Sequence, residues 1–196
     1  FSVNQGMGSL FAGYRSATAI NNGNPASYSS LALTTLEMGA LFRGHTIQQP
    51  VGNTQSTGAN ISHFALGVPV KLGKAGMAFG ITPFSTLRYE YANTTSDPNI
   101  GEYNAFSSGR GSTYRLFFGS GVKFGDLSVG VNGNFIFGSN DYLSGASFAD
   151  SLNLIDVRNH RQFKARGLRF NLGAQYTATL RDLGNADEDQ KPLYLD

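Results

Sequence analysis

The chain has 196 residues, 15 Lys plus Arg against 13 Asp plus Glu, a net charge of +2 and no cysteine. That length allows one substantial domain, the near balance of charge with no basic run argues against a nucleic-acid surface, and the lack of cysteine excludes a disulfide framework or a thiolate metal site. Charged residues make up only 14%, low for a soluble surface, while a mean hydropathy of −0.20 is compatible with a membrane barrel, which keeps half of each strand polar.

Residues 1–34 come first and do not alternate. The stretch "QGMGSLFAGYRSATAINNGNPASYSSL" is rich in Gly, Ser, Ala and Asn. It opens at Phe1 with no start Met and no apolar leader, which predicts a mature, exported protein. No apolar run approaches the roughly 20 residues of a membrane helix.

From Thr35 the pattern changes to period two, the signature of a strand with one dry face and one wet face. "TLEMGALFRGHTIQ" sets Leu36, Met38 and Phe42 against Glu37, Arg43 and His45. After the polar stretch "QPVGNTQSTG", the second segment, "NISHFALGVPVKL", sets Phe64, Leu66 and Val68 against His63 and Lys71. Gly73-Lys74 turns the chain into "AGMAFGITPFSTLRYEY", where Phe79, Ile81, Leu87, Tyr89 and Tyr91 oppose Gly80, Thr82, Arg88 and Glu90. A polar loop from about Ala92 to Gly109 precedes "STYRLFFGSGVKF", with Arg115 and Lys123 on the wet parity. Gly125-Asp126 leads into "LSVGVNGNFIFG", and a connection from Ser139 to about Ser151 leads to the more polar "LNLIDVRNHRQFKAR". The seventh segment, "GLRFNLGAQYTATL", places Leu168, Phe170 and Leu172 opposite Arg169, Asn171 and Gln175. The end, residues 182–196, is acidic and reads as a solvated loop.

These segments predict an all-β fold: an antiparallel up-and-down transmembrane barrel, with strands over 35–181 preceded by a separate, non-alternating segment over 1–34. Long connections after the first, third and fifth strands and short turns after the second, fourth and sixth match the loop asymmetry of outer-membrane barrels. The wet parity carries too much charge for a dry core and suits a wet interior. A seven-strand chain ends on the side opposite its start, whereas closed single-chain bacterial barrels have even strand numbers. The expectation is therefore a chain that continues beyond Asp196; the alternative is a small eight-stranded barrel closed by "PLYLD".

A Gly-rich opening, "GMGSLFAGYRSAT", running into Asn24-Pro25-Ala26 just before the first strand resembles the long-chain fatty-acid outer-membrane transporters, the FadL family. It is also similar to Bacteroidota relatives that serve type IX secretion. The resemblance implies a barrel of about fourteen strands in a Gram-negative outer membrane. It also implies a hatch containing Gly6, Gly8, Asn24, Pro25 and Ala26, and a lateral opening at Gly80, Pro83, Phe84 and Ser85, where a proline in the third strand interrupts the ladder. From the residues alone, Asn24-Pro25 also reads as a turn initiator and Pro83 as an ordinary bulge.

Enzyme signals are thin: His45, His63 and His160 lie on separate segments with no HExxH pairing, and no nucleophile elbow is present. No catalytic residue, metal or other cofactor is expected. Arg43, His45, Lys71, Arg88, Arg115, Lys123 and Arg169 on one parity suit either an anionic head group, with an acyl chain received by the N-terminal segment, or pairing that merely holds that segment in place. Two functions follow. The first is passive uptake of long-chain fatty acids or similar hydrophobic compounds; the second is a non-transporting barrel that partners other outer-membrane proteins at a secretion complex. Membrane lipids are expected partners in both.

Overall fold

A computed structural model describes residues 6–8, 10–49, 52–98, 101–148 and 155–177. Six strands, β1 (Thr35–Gln49), β2 (Gly52–Lys71), β3 (Ala75–Asp97), β4 (Gly101–Phe124), β5 (Leu127–Phe148) and β6 (Val157–Tyr176), form one antiparallel sheet in the order β1-β2-β3-β4-β5-β6. Every strand pairs only with its chain neighbours, and among the described residues β1 and β6 do not pair with each other, so the sheet is open. The all-β, up-and-down architecture agrees with the alternation; closure into a barrel is not seen. The expected acidic segment 182–196 lies outside the described residues.

The strand count differs from the seven expected. The sixth and seventh segments are one strand, because Arg166, Gly167 and Leu168 pair in unbroken register with Phe137, Ile136 and Phe135. The polar stretches read as long loops are also strand: β3 runs on to Asp97 and β4 starts at Gly101, with pairing continuous from Leu87↔Gly111 to Asp97↔Gly101. Alternation of apolar and polar residues is required only where one face is dry. Where both faces are wet, cross-strand hydrogen bonds hold a polar ladder together without it. At the other end the turns are tight as expected, with Gly73 and Gly125 at positive φ (65° and 58°), a conformation that a Cβ disfavours.

One face of the sheet is apolar and open to the surroundings: Phe42, Leu168, Phe170 and Leu172 are 70–84% exposed. The other is polar and, toward the short-turn end, covered. His63, Thr82, Thr113, Ser128, Asn132, Asn134 and Gln175 are buried there beside Ala65, Ala78 and Phe117. The cover is the chain's own N-terminal segment, whose 3-10 turn, Pro25–Ser30, packs against β2 to β6. Ile20, Tyr28 and Leu31 from this segment join Ala65, Ala78 and Phe117 in the apolar core.

Candidate functional site

Two regions have the geometry of a site: the seat of the N-terminal segment on the polar face, and a cleft where the sheet splits. The seat is built from backbone groups that a non-alternating, irregular segment leaves unpaired and that the sheet must satisfy. Asn24 caps the 3-10 turn, its Oδ1 accepting from the Ala26 amide at 3.2 Å, while its Nδ2 donates to the carbonyls of Ala12 at 2.9 Å and Ala174 at 3.3 Å. Gln175 donates to Ala12 and Tyr14 carbonyls at 2.9 and 3.2 Å, and Asn132 donates to the Asn22 carbonyl at 3.2 Å. The Arg15 guanidinium reaches Thr177, Ser29 and Ser128. Glu37 of β1 accepts the Ile20 amide at 2.6 Å. Burial pushes the Tyr28 hydroxyl well above the usual phenol range, so it stays protonated and donates to Asn22 Oδ1 at 3.4 Å.

Glycines of the sheet make the fit possible: Gly76 lies against the Tyr28 carbonyl, Gly173 against Asn24, and Gly121 and Gly130 against Pro25 and Ala26. A Cβ on Gly121 would collide with the Pro25 carbonyl oxygen, and one on Gly130 with the Pro25 carbonyl group and the Ala26 amide. The turn backbone thus lies directly on the sheet, at a distance no side chain permits. Asn24, Pro25 and Ala26 are all buried in this seat. Gly6 and Gly8 are not part of it; both are exposed with open space around their Cα atoms.

The cleft follows from an interrupted ladder. Pairing between β2 and β3 runs from Lys71↔Ala75 to Phe64↔Ile81 and stops there, although both strands continue with their other neighbours. Two irregularities flank the break. Between Gly39↔His63 and Ala40↔Ile61, Ser62 is extra; between Pro83↔Tyr114 and Ser85↔Thr113, Phe84 is extra. Pro83 has no amide hydrogen to give and sits at the point of divergence. The β1–β2 ribbon and the β3–β6 sheet separate around a cleft of about 550 Å³ lined by Leu41, Arg43, Ile61, Pro83, Phe84 and Arg88, among others. Among the described residues, a side-chain hydrogen bond spans it, Asn60 Nδ2 to Thr86 Oγ1 at 3.2 Å.

The bulge at Phe84 reverses the faces of β3. Before it, Thr82 shares the polar face with Arg115; after it, Tyr89 pairs with Gly109 on that face and Arg88 pairs with Arg110 on the opposite one. Arg88 therefore leaves the set of cations expected together on the polar face. The rest of that set is dispersed. Arg43 lines the cleft with Pro83, Phe84, Ser85 and Arg88. Arg115 is half-buried and donates from Nε to Thr82 at 3.1 Å, Arg169 stands exposed on β6, and Lys71 and Lys123 lie beside the turns. Gly80 is below the cleft, inside the paired ladder opposite Ala65. The side chain of His45 lies outside the described residues. The residues that hold the seat and were not among the expected site residues are Arg15 and Glu37, both half-buried, and Asn132 and Gln175, both buried. For Glu37, Asn132 and Gln175 the one signal is a polar side chain on the glycine-lined parity, opposite a segment with no ladder of its own; Arg15, within that segment, has none.

A family model described as BamG matches residues 2–186. No curated protein and no solved structure gives a significant match. The family match overturns the FadL resemblance: BamG is a family of outer-membrane proteins associated with the barrel-assembly complex, distinct from the fatty-acid transporters.

Proposed function

This chain belongs to the BamG family, and on that premise we propose that it is a non-catalytic subunit seated in the outer membrane and partnering the barrel-assembly complex, rather than a carrier of fatty acids. The observation that supports this most is the division of the sheet. Its apolar face is open along all six strands, as a lipid-facing surface requires. Its polar face is closed at the short-turn end by a segment held through Asn24, Gln175, Asn132 and Arg15. A carrier must pass cargo through that space, whereas a partner subunit needs a rigid seat and an accessible edge. The β2–β3 cleft offers such an edge, because strand ends that diverge from their ladder are templates for pairing with another chain.

The test is enrichment of the tagged full chain from cross-linked outer membranes of its native host, with quantitative mass spectrometry. Barrel-assembly components should be enriched over abundant unrelated barrels. Equal recovery of both, together with loss of labelled fatty-acid uptake on deletion, would return the reading to transport.

A further inference from the structure

Above the apolar band, toward the Asp97 and Phe148 ends of the strands, the exposed face changes character within two rows of residues. The last apolar row is Tyr114 and Phe137, which pair with each other, and its neighbour on β6 is Arg166, opposite Phe137. The next row places Ser112 beside Ser139 and Ser139 beside Lys164; the one after places Arg88 beside Arg110 and Arg110 beside Asp141. Arg88, Arg110, Lys164 and Arg166 thus form a cationic belt on the outward face, all exposed. Two carboxylates lie close to it, Asp141 opposite Arg110 and Glu90 one row higher, but neither makes an ion pair with these four cations: Asp141 turns to Gln162 at 2.9 Å and to His160 at 3.6 Å. The belt therefore keeps a net positive charge, four cations against two carboxylates.

Arg166 ties the belt to the apolar band. Its guanidinium carbon lies 5.7 Å from the centroid of the Phe135 ring, one row inside the Tyr114–Phe137 row, so the cation rests on the upper edge of the apolar band through a cation–π contact. An aromatic face of this kind holds a cation where apolar surface gives way to polar surroundings. Two rows of strand rise roughly 13 Å along the chain and less along the membrane normal, comparable with the depth of a head-group layer.

We infer that this belt binds the phosphate groups of anionic lipid head groups in the leaflet at that end of the strands, and so fixes the height and rotation of the sheet in the membrane. The inference rests on the membrane seating proposed above. Each cation near an anionic surface strengthens attraction severalfold, and salt weakens it.

The test compares the full chain with an R110Q/K164Q/R166Q variant, both incorporated into nanodiscs of phosphatidylcholine with or without bis-phosphorylated lipid A. Retained lipid is counted by native mass spectrometry after delipidation. K74Q, on the turn at the opposite end, is the charge control. The expectation is equal incorporation of all three proteins into phosphatidylcholine discs, with lipid A retention reduced on the order of tenfold in the triple variant and unchanged in K74Q. Failure of the wild type to enter either disc would overturn the membrane seating itself. Entry without preferential lipid A retention, equal retention by the triple variant, or equal displacement by inorganic phosphate would overturn the belt alone.

Discussion

Asn24 shows how much of the N-terminal seat depends on single side chains. One amide supplies a cap acceptor to Ala26 and donors to Ala12 and Ala174, residues far apart in the chain. Asn24→Ala removes the cap and takes one donor from the Ala174 carbonyl and one from the Ala12 carbonyl, which keeps Gln175, a combined cost of about 1–2 kcal/mol. Limited proteolysis of the detergent-solubilised protein should then cut within residues 10–34 at lower urea than in wild type; an unchanged midpoint would show that the segment is held by other means. Asn24-Pro25-Ala26 was legible in the sequence as something that stops a segment before the first strand. Its three-way bonding was not, because the Ala174 carbonyl meets it only after the sheet has formed. Glycines give a second contrast at this scale. Gly130→Ala forces a methyl group into the Pro25 carbonyl group, whereas at Gly133 the nearest atom, in the Phe170 ring, would lie 3.6 Å from an added Cβ. Gly130→Ala should therefore cost about 1–3 kcal/mol, the usual penalty of overpacking, and Gly133→Ala close to nothing, as read by the urea midpoint of tryptic resistance.

At the scale of elements, the sequence was readable where the physics imposed a pattern. Strands with one dry face had to alternate, so the lower halves of β1 to β5 could be placed from Leu36, Phe79, Phe118 and Val131. The upper halves are wet on both sides and carry Thr, Ser, Asn and Tyr without alternation, so they passed for loops. Bulges were the other blind spot. Pro83 marked the second one, but no residue type announced that Phe84 would be the extra residue or that Arg88 would change face in consequence; Ser62 carried no signal at all. The split between β2 and β3 follows from these two bulges and supports a test of the cleft. With Asn60 and Thr86 in side-chain contact across it, an N60C/T86C pair in this cysteine-free chain should form a disulfide under mild oxidation. If the cleft is where a partner engages, oxidation should lower recovery of barrel-assembly components severalfold and reduction should restore it. Recovery that is indifferent to the redox state would move the partner contact elsewhere, and the outer edges of β1 and β6, which pair with no other strand among the described residues, would be the next places to probe.

At the scale of the whole molecule, the FadL resemblance failed for a physical reason. Any sheet that seats a polypeptide segment on its polar face needs small residues at the contact and a capped turn to enter it. Asn-Pro-Ala before the first strand therefore reports the seat rather than the family, and the Gly-rich opening reports neither, since Gly6 and Gly8 are exposed with open space around them. Under the proposed membrane seating, the other face is the one that meets lipid. On β5, outward apolar positions run from Leu127 to Phe137, about 33 Å of strand at roughly 3.3 Å per residue; at the usual barrel tilt this spans about 25 Å, the height of a lipid-facing band. The chain contains no tryptophan, so one introduced residue is a clean fluorescent reporter. Leu172 is 84% exposed on the apolar face, and its neighbour Asn171, paired with Asn132, lies on the polar one. In bilayers of lipid brominated near the chain ends, L172W should be strongly quenched and N171W weakly, and the same alternation should hold for V131W against N132W. Equal quenching across each pair would mean that the apolar face does not meet lipid, and a covering protein surface would then have to account for its exposure.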